Sequence, residues 1–435
     1  MMGGQMTSRN IGGLTYEVTL TAYRDTLGIP IGTIDQFNYT ETGGALWSAI
    51  HSVPITNMTV FGNGVEEYTY VDTITFPNGG NFELWFDECC RNAAILNIVN
   101  NFSFYLNNKI FVDPTNSSPV FLNPPITVAQ LGVPFSYNPL PFDTDGDSIS
   151  WVLDIPLTSG GVPVTGYSLP FSDPSSPFAM NPVTGEITFL PNTIGHFEAS
   201  FKVNEYRNGV QIGEIRRDMQ IIVVPSLNAP PIVSASANTA PYSGKHYDVL
   251  PGNNVTISLY AYDPDGQSVT MAASGEPFQF ANNNATFTVT NTSGSSNGEI
   301  SWSPIASQAR IAPYQVVLRV SETYGGNTFQ NDITFSIRVG NFTGVDVLNH
   351  ETIRSIYPNP NDGNFTLELN AERSGSAKII ISTMIGQQVR SIDQNLETGT
   401  NLVYIRNANL PAGNYMVSIL KDGIQSKPQN LNISK

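Results

Sequence analysis

Short runs in which apolar and polar residues alternate recur along the whole chain, each broken after a few residues by glycine, proline or asparagine. From Leu14 to Asp25 the residues Tyr16, Val18, Leu20 and Ala22 alternate with polar neighbours, the period of a strand with one wet face. Val65 to Phe76 repeats the pattern between Asn63-Gly64 and Pro77-Asn78-Gly79. Runs around Leu367, Ile380, Val403 and Val417 repeat it near the C-terminus. Turn residues at such regular intervals predict an all-β chain of sandwich domains with almost no helix.

The middle of the chain repeats itself. GEITFLP begins at Gly185 and GEISWSP at Gly298; DTDGDS sets Asp145 against Asp265 of DPDGQS; VNEYRNG sets Glu205 against Glu322 of VSETYGG. The three offsets are similar but unequal, as loop insertions would make them, and the recurrence in one order defines two copies. Each copy opens on a proline-rich joint, NSSPVFLNPP (Asn116 to Pro125) and LNAPPIV (Leu227 to Val233), where fixed φ angles and missing donors predict a stiff, extended connection. The expected domains are therefore 1–112, 113–225 and 226–340, then a linker over 341–355 and a tail over 356–435.

Three stretches carry family resemblances. The order of motifs in each copy, an asparagine-proline start, DxDG, GEI and an alternating strand ending in an acidic residue, resembles cadherin-like and Ig-like repeats of bacterial surface proteins. In the tail, YPNP at Tyr357, Pro358, Asn359 and Pro360 is followed by Gly363, by a strand ending at Gly386, and by LPAGNY with Pro411, Gly413 and Tyr415. That order resembles the C-terminal sorting domain of type IX secretion substrates. Thr383 stands where that family usually has an acidic or amide residue. The resemblance implies export by the type IX machinery to the outer surface or exterior of a Gram-negative bacterium. The series GG, YEVTLTAYRD and ECCRNAAILN in the first domain resembles a module near the front of large secreted proteins with the same tail. Together these imply tandem Ig-like and cadherin-like β-sandwiches in an elongated array.

Composition narrows the partners. Charged residues make up only 13% of the chain, and 36 acidic against 20 basic residues leave a net charge of −16, with no basic run. Nucleic acid and anionic membranes are poor partners for such a surface, and divalent cations are better ones. No 18-residue apolar stretch is present to span a membrane as a helix. The opening residues MMGGQMTSRN lack the apolar core of a signal peptide, which an exported protein requires at the inner membrane, so the sequence reads as a processed or partial form.

Candidate chemistry is sparse. Asp143, Asp145 and Asp147 surround Gly146, and hard cations take six to eight oxygens, so calcium is the expected ion there, with Glu205 as a further ligand. The second copy offers Asp263, Asp265 and Glu322 but has Gln267 in the third place. Neither loop has EF-hand spacing. The competing reading is a plain hairpin turn, in which Asp accepts local N–H groups and Gly takes positive φ, and it carries more weight, most of all in the second copy. The two cysteines, Cys89 and Cys90, are adjacent; consecutive Cα atoms lie about 3.8 Å apart, where disulfides want roughly 4.4–6.8 Å, so one buried and one half-exposed thiol are expected.

The four histidines, His51, His196, His246 and His350, fall one to each expected domain, and no GxSxG, HExxH or phosphate loop is present. A non-catalytic structural or adhesive surface protein is thus expected. The alternatives are a carbohydrate-binding accessory, with Trp47, Trp85, Trp151 and Trp302 as candidate stacking platforms and surface glycans or proteins as partners, or a subunit that self-assembles into a fibre.

Overall fold

The computed structural model describes all residues except 44–46, 63, 100–101, 182–183, 227, 240, 243–244, 293, 311, 341–350, 372–373, 384–387, 398, 407–409, 422–423, 427 and 435. It is all-β, with three single-turn 3-10 segments among the described residues. The chain divides into two compact units, Met1–Gly340 and Asn341–Lys435.

The first unit begins with seven strands: β1 (Gly3–Gly12), β2 (Thr15–Asp25), β3 (Ile34–Glu41), β4 (Ser48–Gly62), β5 (Val65–Thr75), β6 (Gly80–Glu88) and β7 (Phe104–Val112). They pair antiparallel in the order β1-β2-β5-β4-β3-β6-β7. Alternation sends Tyr16, Val18, Leu20 and Ala22 inward, where they meet Phe37, Tyr70 and Leu106 in one core. Each fully buried large apolar side chain of this kind contributes roughly 1.5–3 kcal/mol. The sheet rolls until its edges meet, and Asn108 Nδ2 on β7 donates to Ser8 Oγ on β1 (3.0 Å).

The first repeat follows, with β8 (Ile126–Gln130), β9 (Phe135–Tyr137), β10 (Ser148–Asp154), β11 (Ile187–Phe189), β12 (Gly195–Arg207) and β13 (Val210–Val224). The hairpin β12-β13 carries β10 on one side, while β9 and β11 form a facing sheet with Ala179–Met180. A second core fills the gap between them. The other edge of β13 is divided among three strands. Gly213 to Ile215 pair with β7, Arg217 and Asp218 with β1, and Gln220 to Val224 run parallel to β8. Backbone pairing therefore crosses the boundary drawn at 112/113, and the first two segments share a single sheet. The joint at Asn116 to Pro119 is buried rather than an exposed spacer. Ser8 N–H donates to Ser118 Oγ (2.9 Å) and Asn10 N–H to Ser117 Oγ (3.2 Å).

The second repeat contains β14 (Ile232–Ser234), β15 (Lys245–Val249), β16 (Val255–Tyr262), β17 (Val269–Gly275), β18 (Thr286–Thr292), β19 (Ser295–Trp302), β20 (Tyr314–Tyr324) and β21 (Asn327–Val339). Sheets β14-β16-β19-β18 and β15-β21-β20-β17 close on one core. The internal repeat is visible in the pairing itself. β15 runs parallel to β21 as β8 does to β13, and the strand after each DxDG turn lies antiparallel to the first strand of the long hairpin.

The tail unit has β22 (Glu351–Tyr357), β23 (Phe365–Ala371), β24 (Gly375–Thr383), β25 (Gln388–Leu396), β26 (Gly399–Ile405), β27 (Gly413–Lys421) and β28 (Gln429–Ile433). A sheet β22-β23-β26 packs on a sheet built from β25, β24, β27 and β28. Residues 351–355, expected in the linker, are the start of β22, because Glu351 to Ile353 pair with Leu369 to Ala371 and Ser355 with Glu368. The remainder of the linker, Gly386 and the Asp422-Gly423 turn lie outside the described residues.

One buried ion cluster ties the rolled sheet to the first repeat. Arg91, which follows β6 in the ECCRNAAILN stretch, reaches Glu198 of β12 (2.8 Å), Asp218 of β13 (2.6 Å) and the Leu157 carbonyl (2.7 Å). Asn97, in the same stretch, donates to the Glu198 carbonyl (2.7 Å) and accepts the Glu198 N–H (2.9 Å). Burial pushes the Glu198 carboxyl well above its ordinary range, against the pull of Arg91. Cys89 and Cys90 just before it are joined as a vicinal disulfide, where the sequence led us to expect two thiols. Replacing the guanidinium in Arg91→Met leaves two buried carboxylates without a counter-charge. The expected loss is about 3–5 kcal/mol of unfolding free energy, measured as a shift in denaturant midpoint.

Candidate metal centres

Each DxDG turn places its first aspartate as the organiser. Asp143 Oδ1 accepts the N–H groups of Asp145 and Asp147 (both 2.9 Å), and Asp263 Oδ1 accepts those of Asp265 (2.8 Å) and Gln267 (3.1 Å). Gly146 and Gly266 take φ of +88° and +85°, a region that side chains rarely adopt, so the turns need glycine there. The chain then enters a strand whose register brings in the acid of the neighbouring hairpin. Ile149 lies opposite Glu205, and Val269 opposite Glu322.

In the first copy the ligand atoms of Asp143, Asp147 and Glu205 all lie within 4.8 Å of one another. Glu205 is fully buried, and neither of its carboxylate oxygens has a hydrogen-bond partner; nor has Asp143 Oδ2. Burial, then repulsion from Asp143 and Asp147, pushes Glu205 up to about 9, and burial pushes Asp143 up to about 6. Asp145, expected among the ligands, is turned away, its carboxylate accepting the Ser117 N–H of the proline-rich joint (2.5 Å). Arg207 is the residue the sequence reading missed. It donates to Asp147 from Nε (2.9 Å) and Nη2 (2.5 Å), and to Asn116 Oδ1 (2.8 Å), so one guanidinium already partly neutralises the cluster.

The second copy repeats the plan with different end groups. Asp265 accepts the Ala229 N–H (2.7 Å) as Asp145 does that of Ser117. Glu322 accepts from Asn228 Nδ2 (2.7 Å) and is pushed up to about 8 by burial and by Asp263 beside it. Asp263 Oδ2, Glu322 Oε2, Gln267 Oε1 and Asn228 Oδ1 are buried acceptors without a donor. Tyr324 stands where the first copy has Arg207. Asn228 and Asn116 had a signal in the sequence, since an asparagine recurs at both joints. Orphaned, oxygen-only acceptors are the donor set a hard cation such as calcium takes, so the residues fit that ion.

Among the described residues the tail forms no such cluster. Tyr415 is buried, whereas Tyr357 at the end of β22 and Pro358, Asn359 and Pro360 on the turn after it are exposed; Gly363 is buried, and Pro411 before β27 and Gly413 at its start lie at the surface. Residues 355–432 match the family described as the secretion system C-terminal sorting domain. The tail is thus a sorting domain of the kind carried by type IX secretion substrates. No curated protein matches the chain. Similar solved structures include the tandem Ig repeats of Dlar (11% identity over 51% of this chain and 98% of that one, TM-score 0.21) and the N-terminal four Ig domains of Dscam1 (11%, all of both chains, TM-score 0.18). An endo-fucoidan hydrolase of glycoside hydrolase family 107 is also similar (13% identity, 76% of this chain and 42% of that one, TM-score 0.18). At such scores these likenesses bear on neither activity nor arrangement.

Cation binding at the first copy must displace the protons that burial places on Asp143 and Glu205. Calcium affinity is therefore expected to rise from pH 6 toward pH 9, with proton release seen by calorimetry in buffers of different ionisation enthalpy. Without the ion the sign is opposite. A carboxyl raised from its ordinary 4.5 to about 9 stabilises the fold fully only below the lower value, so ion-free stability falls as pH climbs through that window. Glu205→Gln should flatten that fall and remove the calcium-dependent rise in Tm.

Proposed function

We propose that the chain is a non-catalytic secreted or cell-surface protein with a structural or adhesive role. The type IX machinery exports it through its C-terminal sorting domain, and calcium at the DxDG turns stiffens its repeats. The observation that carries this reading is the separate tail unit, which has its own two-sheet core and the sorting-domain match. A segment that folds on its own core can act as an address without help from the rest of the chain. The orphaned carboxylates support the calcium part, since an ion that binds only the folded form stabilises it by mass action.

A carbohydrate-binding role is the second reading. It requires aromatic faces open to solvent, and three of the four candidate tryptophans argue against it, while Trp85 is half-buried on the outer side of β6 between the inward Leu84 and Phe86. Trp302 is buried, Trp47 packs edge-on against Phe76 and Phe82, and Trp151 is half-buried with its Nε1 donating to the Asn181 carbonyl (3.0 Å).

The test is export. Placed behind an inner-membrane signal peptide in a bacterium with the type IX machine, the full chain should reach the medium or the outer surface. A chain ending at Gly340 should remain in the periplasm. Equal export of both overturns the reading.

A further inference from the structure

The sorting residues divide by what the fold asks of them. Tyr415 is buried and donates its hydroxyl to the Pro411 carbonyl (3.0 Å). Asn359 donates to the Asn430 carbonyl (2.8 Å) and accepts the Asn432 N–H (2.7 Å). Gly363 holds φ at +105°, a conformation available to glycine. These three build the domain. Tyr357 does not, because its ring is 45% exposed and lies outside the core.

The register of the β22-β23-β26 sheet gives that ring its neighbours. Tyr357 lies opposite Thr366, which lies opposite Tyr404; in the next row stand Ser355, Glu368 and Leu402. Val403 and Ile405 point into the core, so Leu402 and Tyr404 point outward, 49% and 66% exposed. Three of the four large exposed hydrophobics described in the tail thus share one outer face, where apolar area remains in water.

That face ends in an open edge. Among the described residues β26 pairs with β23 alone, and its sequence GTNLVYI has neither charge nor proline, the usual means of blunting an edge. The other edges of the domain are guarded. β22 carries Arg354, β25 carries Arg390 and Asp393, and β28 is covered by residues 359–361, where Asn361 donates to the Asn432 carbonyl (3.0 Å) and accepts the Ser434 N–H (2.7 Å).

We propose that the outer face of this sheet, with Tyr357, Leu402 and Tyr404, is the surface on which the export machine reads the tail. The occupant is a protein subunit of that machine, which adds an extended segment to β26 and covers the two tyrosines. The inference rests on the sorting role of the tail. A sorting domain has to be bound by a protein, and the motif's own tyrosine is the aromatic that the fold leaves uncovered beside an unguarded edge.

The experiment uses the full chain behind an inner-membrane signal peptide in a bacterium with the type IX machine. Variants are Leu402→Lys with Tyr404→Lys, Ser391→Lys on the opposite sheet, and the chain ended at Gly340. Buried anchors of interfaces cost on the order of tenfold or more when lost, so the double variant should keep the parent Tm yet be exported about tenfold less. Ser391→Lys should be exported as the parent is. A photo-crosslinking residue at position 404, but not at 391, should give an adduct identified as a subunit of the machine, and this readout leaves the fold intact. Parent-level export of the double variant, with the shortened chain retained, overturns the docking surface and leaves the sorting reading standing. Export of the shortened chain removes both. A crosslink from position 404 only to a second copy of this chain also overturns the proposal.

Discussion

The edge of β13 facing away from β12 is the constraint on which the first unit depends. A fifteen-residue strand buried on both faces from Gly213 to Ile221 cannot leave its N–H and C=O groups without partners, since each orphaned group costs about 1–3 kcal/mol. No single neighbour spans that length. β7, β1 and β8 share it in turn, and so the rolled sheet and the first repeat are fused by backbone bonds rather than joined by a linker. The buried charges follow from the same geometry. Glu214, Arg216, Arg217 and Asp218 all lie in the buried stretch of this one strand, and each finds a partner on another element: Lys202, Asp154, Gln5 and Arg91.

The two repeats show how one plan can diverge at its end groups. Both copies use the first aspartate to close the turn and the second, Asp145 or Asp265, to hold the joint, and both bring a glutamate in from the hairpin. In the first, Arg207 supplies a fixed positive charge against Asp147. In the second, Gln267 and Tyr324 replace the aspartate and the arginine, which lowers the charge on both sides. The first site is therefore the more acidic but partly self-neutralised, and the second the weaker in charge but richer in acceptors without donors.

The tail unit separates two uses of a short motif. Glycine at 363, the amide of Asn359 and the ring of Tyr415 satisfy the backbone and core of a small sandwich, and their substitution would act through folding. Tyr357 stands outside that economy, on a face whose other residues, Leu402 and Tyr404, come from a strand some 45 residues later in the chain. A motif read only as a string hides this difference.

What the sequence determined by itself was local. Period-two alternation marked Tyr16, Val18, Leu20 and Ala22 as an inward face, and repeat arithmetic paired Asp143 with Asp263 and Glu205 with Glu322, because strand period and turn chemistry are properties of neighbouring residues. It also placed the sorting motif, whose residues lie in fixed order. The tertiary structure decided everything that depends on which strands meet. GEIRRDMQ, with four charged residues and no alternation, lies at the centre of a sheet, since paired charges can be buried where an alternation rule cannot see the partner. Arg207 reaches Asp147 across 60 residues and Arg91 reaches Glu198 across 107. Asp145 and Asp147, two residues apart, part company because the first caps the joint while the second faces Glu205. Side-chain direction at a turn is set by the segment packed against it, and that segment is distant in sequence.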